Sequence, residues 1–169
     1  MDDRTFRNAM GKFATGVTVI TTVMDGEAHG MTANAFMSVS LDPKLVLISI
    51  GEKAKMLDKI NTTGKFTVNI LSEEQKDLSM HFAGQIKEER AIDFDWVNEL
   101  PIIKNALASI VCNVHSKQIA GDHTLFIGEV TDIVMNDGAP LAFFEGKYSK
   151  VSQPISFIIL ETIVWRIFL

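Results

Sequence analysis

Gly30-Met31-Thr32-Ala33-Asn34-Ala35-Phe36-Met37-Ser38-Val39-Ser40, followed by Pro43 and the apolar run 45–50, is the stretch on which this chain turns. It sets small residues, hydroxyls and one carboxamide between two strand-like runs. A backbone of that kind can press against a flat polar ring and an attached phosphate. On its N-terminal side, 17–23 is dense in β-branched residues, and Asp25-Gly26 supplies a hairpin turn into a second strand through His29 and Met31. On its C-terminal side, 45–50 reads as a third, buried strand. The pairing is antiparallel from the outset.

Further out, Phe6, Ala9, Met10 and Phe13 recur at helical spacing, and Gly16 can close an opening helix of about three turns. Residues 53–60 read as a short helix and 65–71 as a fourth strand with period-two alternation. Ser72 and Gln75 form a capping box for a helix running to Phe82. A polar loop over 87–95 precedes two more strands, 108–114 and 125–135, joined by a connection ending in Gly121-Asp122. Asn136-Asp137-Gly138 is another turn, and 141–144 is a short apolar run before Gly146-Lys147-Tyr148.

At least six strands with turns between them and helices outside predict an antiparallel barrel with α additions, mainly β, rather than a parallel βαβ sheet. No Gly-x-Gly-x-x-Gly stands between a strand and a helix, so a dinucleotide must be held by other means. The chain has 169 residues, 47% of them hydrophobic, which suits one domain with a real core. A net charge of −5 with scattered Lys and Arg lacks the basic stripe of a nucleic-acid binder. The single Cys112, inside the alternating run 110–114, reads as a small core residue, and no metal-ligand spacing joins the four histidines. The charged start Met1-Asp2-Asp3-Arg4 lacks a basic and apolar leader, giving the expectation of a cytoplasmic protein.

Several residues carry chemistry. Asn34, with the amides of Ala35 and Phe36, can offer donors to the edge of a polar ring, although an Asn at a strand end also satisfies a turn. Thr32, Ser38 and Ser40 can bond hydroxyls or phosphate. Gly51-Glu52-Lys53-Ala54-Lys55 opens a helix, so backbone amides, the helix dipole and two ammonium groups converge where an anion would sit; two lysines on a solvated helix end are the alternative. His123 follows Gly121-Asp122 at the start of an apolar strand, where a side chain can project from a barrel rim. Asp122 can orient it or simply serve the turn. His29, His81 and His115 read as surface or capping residues, and Gly84 as a left-handed helix cap. Tyr148 offers an aromatic plane beside the Lys147 cation, with a core or dimer-contact role equally open, and Phe126 has the character of a core residue.

The opening Asn8-Ala9-Met10-Gly11-Lys12-Phe13-Ala14-Thr15-Gly16-Val17-Thr18-Val19, the segment 30–40 and Gly121-Asp122-His123-Thr124-Leu125-Phe126-Ile127-Gly128-Glu129-Val130 occur in the order found in the small flavin reductases that serve two-component monooxygenases. Over 1–151 the chain resembles that family, and within it the FAD-using reductases of bacterial phenol hydroxylase systems. The resemblance implies an antiparallel split β-barrel, a homodimer with flavin across its interface, FAD with FMN as the other candidate, and NADH as electron donor. It implies free flavin and NADH as the small-molecule partners and a separate oxygenase acting on an aromatic compound, with neither nucleic acid nor membrane involved. It further implies that Thr32, Ala33, Asn34, Ala35, Phe36, Ser38, Val39 and Ser49 contact the flavin, that Lys53, Ala54 and Lys55 hold its phosphate, and that His123 stands beside the nicotinamide. Phe82, Ala83, Gly84, Thr124, Phe126, Gly146, Lys147 and Tyr148 complete the implied binding set.

Two other readings fit the same barrel: a non-enzymatic flavin or haem carrier, and an oxidase resembling the pyridoxamine-phosphate oxidases. The two basic residues near Lys53 are too few to require the latter. The domain is expected to span 1–152. The tail 153–169 departs from the family: too apolar for a solvated end, shorter than the about 20 residues of a membrane span, and interrupted by Glu161 and Arg166.

Overall fold

The structure is a computed structural model and describes residues 1–86 and 91–151. The expected tail 153–169, and with it the boundary after 152, lie outside the described residues.

Helix α1 (Asp3–Met10) starts where the Asp2 carboxylate accepts the Thr5 amide proton at 2.9 Å. That bond holds the Asp2 carboxyl below its ordinary range. The helix ends at Gly11, a turn earlier than its apolar spacing suggests, because Thr15–Gly16 is recruited as strand β1 against a later strand. Phe6, Met10 and Phe13 are exposed.

Strands β2 (Thr18–Met24) and β3 (Glu27–Ala33) form the expected hairpin, followed by β4 (Phe36–Leu41) and β5 (Lys44–Gly51). The deciding stretch is therefore mostly strand, and only Asn34 and Ala35 lie between β3 and β4. Helix α2 (Lys55–Thr63) leads to β6 (Lys65–Ile70). A single 3-10 turn, Glu73–Gln75, carries the predicted capping box into α3 (Lys76–Phe82). Gly84 closes α3 at φ +69 as a Schellman cap: its amide donates to His81 and that of Gln85 to Met80.

Of the expected loop over 87–95, residues 87–90 lie outside the described residues, and its end enters a hairpin of β7 (Phe94–Val97) and β8 (Leu100–Ile103) that the sequence reading did not assign. Strands β9 (Ala108–Ala120) and β10 (His123–Met135) run longer than their apolar cores: β9 continues past β6 over the exposed residues 115–120, still paired with β10, which is paired there with β5 on its other side. Strands β11 (Leu141–Phe144) and β12 (Lys147–Lys150) end the described fold. Among the described residues no helix is long and apolar enough to cross a membrane.

Seven strands form one antiparallel sheet in the order β3-β2-β6-β9-β10-β5-β4. Its two edges, β3 and β4, are consecutive in the chain. From Ala33 to Phe36 a fully extended backbone reaches about 11 Å, so the edges must meet and the sheet curls into a barrel. The Ser49 amide donates to the Ala35 carbonyl at 3.2 Å, extending the β4–β5 ladder up to the seam. Inside lie Ile20, Ile48, Ile50, Phe66, Val68, Cys112 and Phe126, all without exposed surface. Burial pushes the Cys112 thiol up to about 12. A second cluster, Val17, Val19, Leu71, Ile103 and Leu141, supports α3 and the small sheet of β1, β11 and β12.

One buried polar side chain ties these layers together. The Asn69 amide nitrogen donates to the Val19 carbonyl and the Thr21 hydroxyl, each at 3.0 Å. Its oxygen accepts the Ile103 amide at 2.9 Å and the Ser109 hydroxyl at 2.8 Å. All four hydrogen-bonding positions of the carboxamide are filled.

Candidate functional site

At the β3–β4 seam the barrel opens into a cleft of about 210 Å³ lined by Val17, Thr32, Ala33, Asn34, Ser79, Ala83, Gln85, Phe143 and Tyr148. Three elements meet there for local reasons. Thr32 and Ala33 end β3, and Asn34 follows where pairing stops, exposed instead of bonded into a ladder. Helix α3 can lie close because β3 carries Gly30: a Cβ there would stand 2.4 Å from the Phe82 ring. The hairpin of β11 and β12 brings in Phe143 and Tyr148, whose rings meet edge to face at 5.4 Å. The Lys76 ammonium stands 5.6 Å from the Tyr148 ring centroid. Polar groups line one wall: the Thr32 hydroxyl donates to the Ser79 carbonyl at 2.7 Å, and the Ser79 and Tyr148 hydroxyls bond each other at 2.9 Å.

A second cluster lies across the seam. Ala35 is bonded to Ser49 on β5, Gly51 ends that strand, and His123 pairs with Gly51 from β10. Two strand spacings and two residues put His123 about 12 Å from Ala35 along the sheet. The His123 Nδ1 stands 2.8 Å from the Asp122 Oδ1. That bond, with the nearby Lys53 charge, holds the Asp122 carboxyl below its ordinary range. An ionised carboxylate only accepts, so the His123 Nδ1 carries the proton of this bond and Nε2 is the ring nitrogen left for a ligand. The Asp122 carbonyl also accepts the Glu52 amide at 2.9 Å, which ties the hairpin tip to the turn before α2. Ala54 caps α2 without a side-chain bond, so its first-turn amides have no competing cap beside Lys53 and Lys55.

The structure thus brings Thr32, Ala33, Asn34, Ala83 and Tyr148 into one cleft and places Ser49, Lys53, Ala54, Lys55 and His123 in a neighbouring cluster. Ala35 and Phe36 stand at the seam between them, the Phe36 side chain packed against the barrel core. Ser38 and Val39 continue along β4, both exposed.

The remaining expected contacts lie elsewhere in the fold. Phe126 is 0% exposed inside the barrel and Thr124 9%, because both face inward on β10 while His123 faces out. Phe82 spends its ring on Gly30, His81 and Phe94, and Ala83 rather than Phe82 reaches the cleft. Gly84 acts as the helix cap. Lys147 opens β12 and Gly146 lies on the hairpin turn, where it borders a separate cleft with Arg7, Asn8, Gly11, Lys12 and Glu145; a Lys12–Glu145 ion pair spans it.

Val17, Ser79, Gln85 and Phe143 line the main cleft without having been singled out from sequence. Ser79 had a readable signal: a hydroxyl on the face of α3 shared with Leu78 and Phe82, where an apolar residue is expected. Elsewhere, a roomier cleft of about 360 Å³ is lined by Glu74, Asp77 and Asp93 with Lys104, groups of the wrong charge for a phosphate-bearing ligand.

A family model described as a flavin reductase like domain matches residues 10–152. An NADH-dependent flavin reductase of Rhodococcus sp is 46% identical over 148 residues, covering 86% of this chain and 84% of that protein. The reductase component of 4-hydroxyphenylacetate 3-monooxygenase from Thermus thermophilus is 39% identical over 150 residues, 88% of this chain and 97% of its own. Among solved structures, the flavin reductase PheA2 in its native state is 65% identical with a TM-score of 0.89, covering 90% of this chain and 100% of that one. A match across the whole barrel, including both walls of the cleft at its seam, makes this chain a member of the flavin reductase family.

Proposed function

We propose that this protein takes a hydride from NADH, passes it to FAD and supplies the reduced flavin to a separate oxygenase that hydroxylates an aromatic compound. The observation that carries the reading is the seam itself: a small-residue, hydroxyl-bearing cleft on one side and an uncapped helix start with two lysines and a carboxylate-held histidine on the other. The donor set suits a flavin. Asn34 and the seam amides face a polar ring edge, and the amides of α2 with Lys53 and Lys55 suit its phosphate. The flavin, when bound, supplies an acceptor at N5 for the two-electron hydride, a proton completing the reduction.

The protein's part is binding and orientation. His123, held by Asp122 at Nδ1, hydrogen-bonds a nicotinamide carboxamide through Nε2 and fixes the ring face presented to the flavin. Tyr148 and the residues of α3 border the nicotinamide. NADH and an aromatic oxygenase are favoured by the relatives, one a reductase using NADH and one serving 4-hydroxyphenylacetate hydroxylation.

A homodimer is favoured by the outer barrel face. Met37, Val39 and Leu41 stand exposed along β4, and His123 shares that outward side of the sheet with Leu125 and Ser49. A second copy would cover this face and enclose the flavin.

The test is spectroscopic. Purified protein mixed with FAD or FMN should shift the flavin absorbance or fluorescence, with FAD held more tightly, and NADH added without oxygen should bleach it. No spectral change with either flavin refutes the reading.

A further inference from the structure

We propose that Ser79 is a positioning residue for this reaction, holding Thr32 and Tyr148 in fixed relation across the cleft; the inference rests on the flavin reductase reading above. Ser79 is 0% exposed, so it acts through its neighbours and not on a ligand directly. A serine inside a helix ordinarily turns its hydroxyl to water or back to the carbonyl four residues earlier. Ser79 instead bonds the Tyr148 hydroxyl at 2.9 Å, while its own carbonyl accepts from Thr32 at 2.7 Å. One residue of α3 thus joins an end strand of the barrel to the last described hairpin.

The other contacts of Tyr148 do not replace this bond. Phe143 meets the ring edge to face, and Lys76 stands against it at 5.6 Å. Both act on the ring, and neither fixes the hydroxyl. Losing the Ser79 hydroxyl would let the phenol swing to water and leave the cleft wall loose before ligand arrives. Such a loss of preorganisation weakens ground state and transition state alike, which raises KM and leaves kcat nearly unchanged.

Tyr148 is the chain's one tyrosine, so its hydrogen bonding can be read without overlap. Ser79→Ala should change the intensity ratio of the tyrosine Fermi doublet in ultraviolet resonance Raman spectra. It should also raise KM for NADH about tenfold, equivalent to about 1.4 kcal/mol. Tyr148→Phe should raise KM similarly, and the double variant should match Tyr148→Phe alone, since the bond can be lost only once.

An unaltered doublet, or additive effects in the double variant, would overturn the proposal. Should Ser79→Ala fail to fold, Tyr148→Phe decides: a raised KM supports the proposal and an unchanged one overturns it. A wild-type protein that does not reduce flavin with NADH would sink the flavin reductase reading and this inference together. An active wild type indistinguishable from a folded Ser79→Ala would sink this inference alone.

Discussion

His123 and Asp122 show how much one hydrogen bond decides. The Asp122 carboxyl is held below its ordinary 3.8 by the imidazole, so the pair is intact above that value and is lost as pH falls through the lowered one. Because its proposed task is to position nicotinamide, His123→Ala should lower kcat/KM for NADH by about 10- to 100-fold, or roughly 1.4 to 2.7 kcal/mol, with flavin affinity nearly intact. Stopped-flow reduction and a flavin titration separate the two effects. Parallel loss of flavin binding would make His123 structural.

Cys112 makes a different residue-scale prediction. Its thiol is raised from 9.0 to about 12, so the protonated core residue contributes stability below 9.0 that is lost as pH climbs toward 12. Urea midpoints of the wild type should fall over that window more steeply than those of Cys112→Ala, and equal slopes would contradict the account. Phe126 marks the limit of residue-level reading: its motif position implied ligand contact, whereas the alternation Thr124, Phe126, Gly128 turns it inward.

At the scale of elements, hydrophobic periodicity located β2, β5, β6 and the central parts of β9 and β10, because a strand buried on one face must alternate. The same signal is silent where strands are short or solvated. The hairpin of β7 and β8 therefore went unassigned, and β4, with Ser38 and Ser40 between apolar residues, read as a linking segment. Asn69 has no signature in a strand, yet it joins β2 to β8 and β9. Asn69→Ala removes a partner from a buried carbonyl, an amide and two hydroxyls, and should destabilise the fold by about 3 kcal/mol or more. Chemical denaturation measures it. A loss below about 1 kcal/mol would mean that water or a shifted strand restores those bonds.

At the scale of the whole molecule, every described site residue precedes Val151, and β12 ends at Lys150. A version stopped after Ser152 is expected to keep NADH–flavin reductase activity and to gain solubility, since the run that follows is apolar with few charges. Turnover and sedimentation of the two versions check this. Loss of flavin, or a fall from dimer to monomer, would assign the tail to the barrel or its interface.

The sequence by itself determined the class of fold and the chemistry at its seam. Alternation, turn residues and the absence of a glycine-rich dinucleotide loop are local properties, and so are the hydroxyls and carboxamide of Thr32 to Asn34 and the lysines opening α2. What only the tertiary structure decided is which of these meet. Two edge strands joined by two residues bring the two ends of the sheet together, and that sets the two clusters side by side. Ser79 and Tyr148, 69 residues apart, become partners only when α3 settles on Gly30 and the final hairpin folds over it. No local pattern encodes that contact, because the packing that makes it comes from residues belonging to neither.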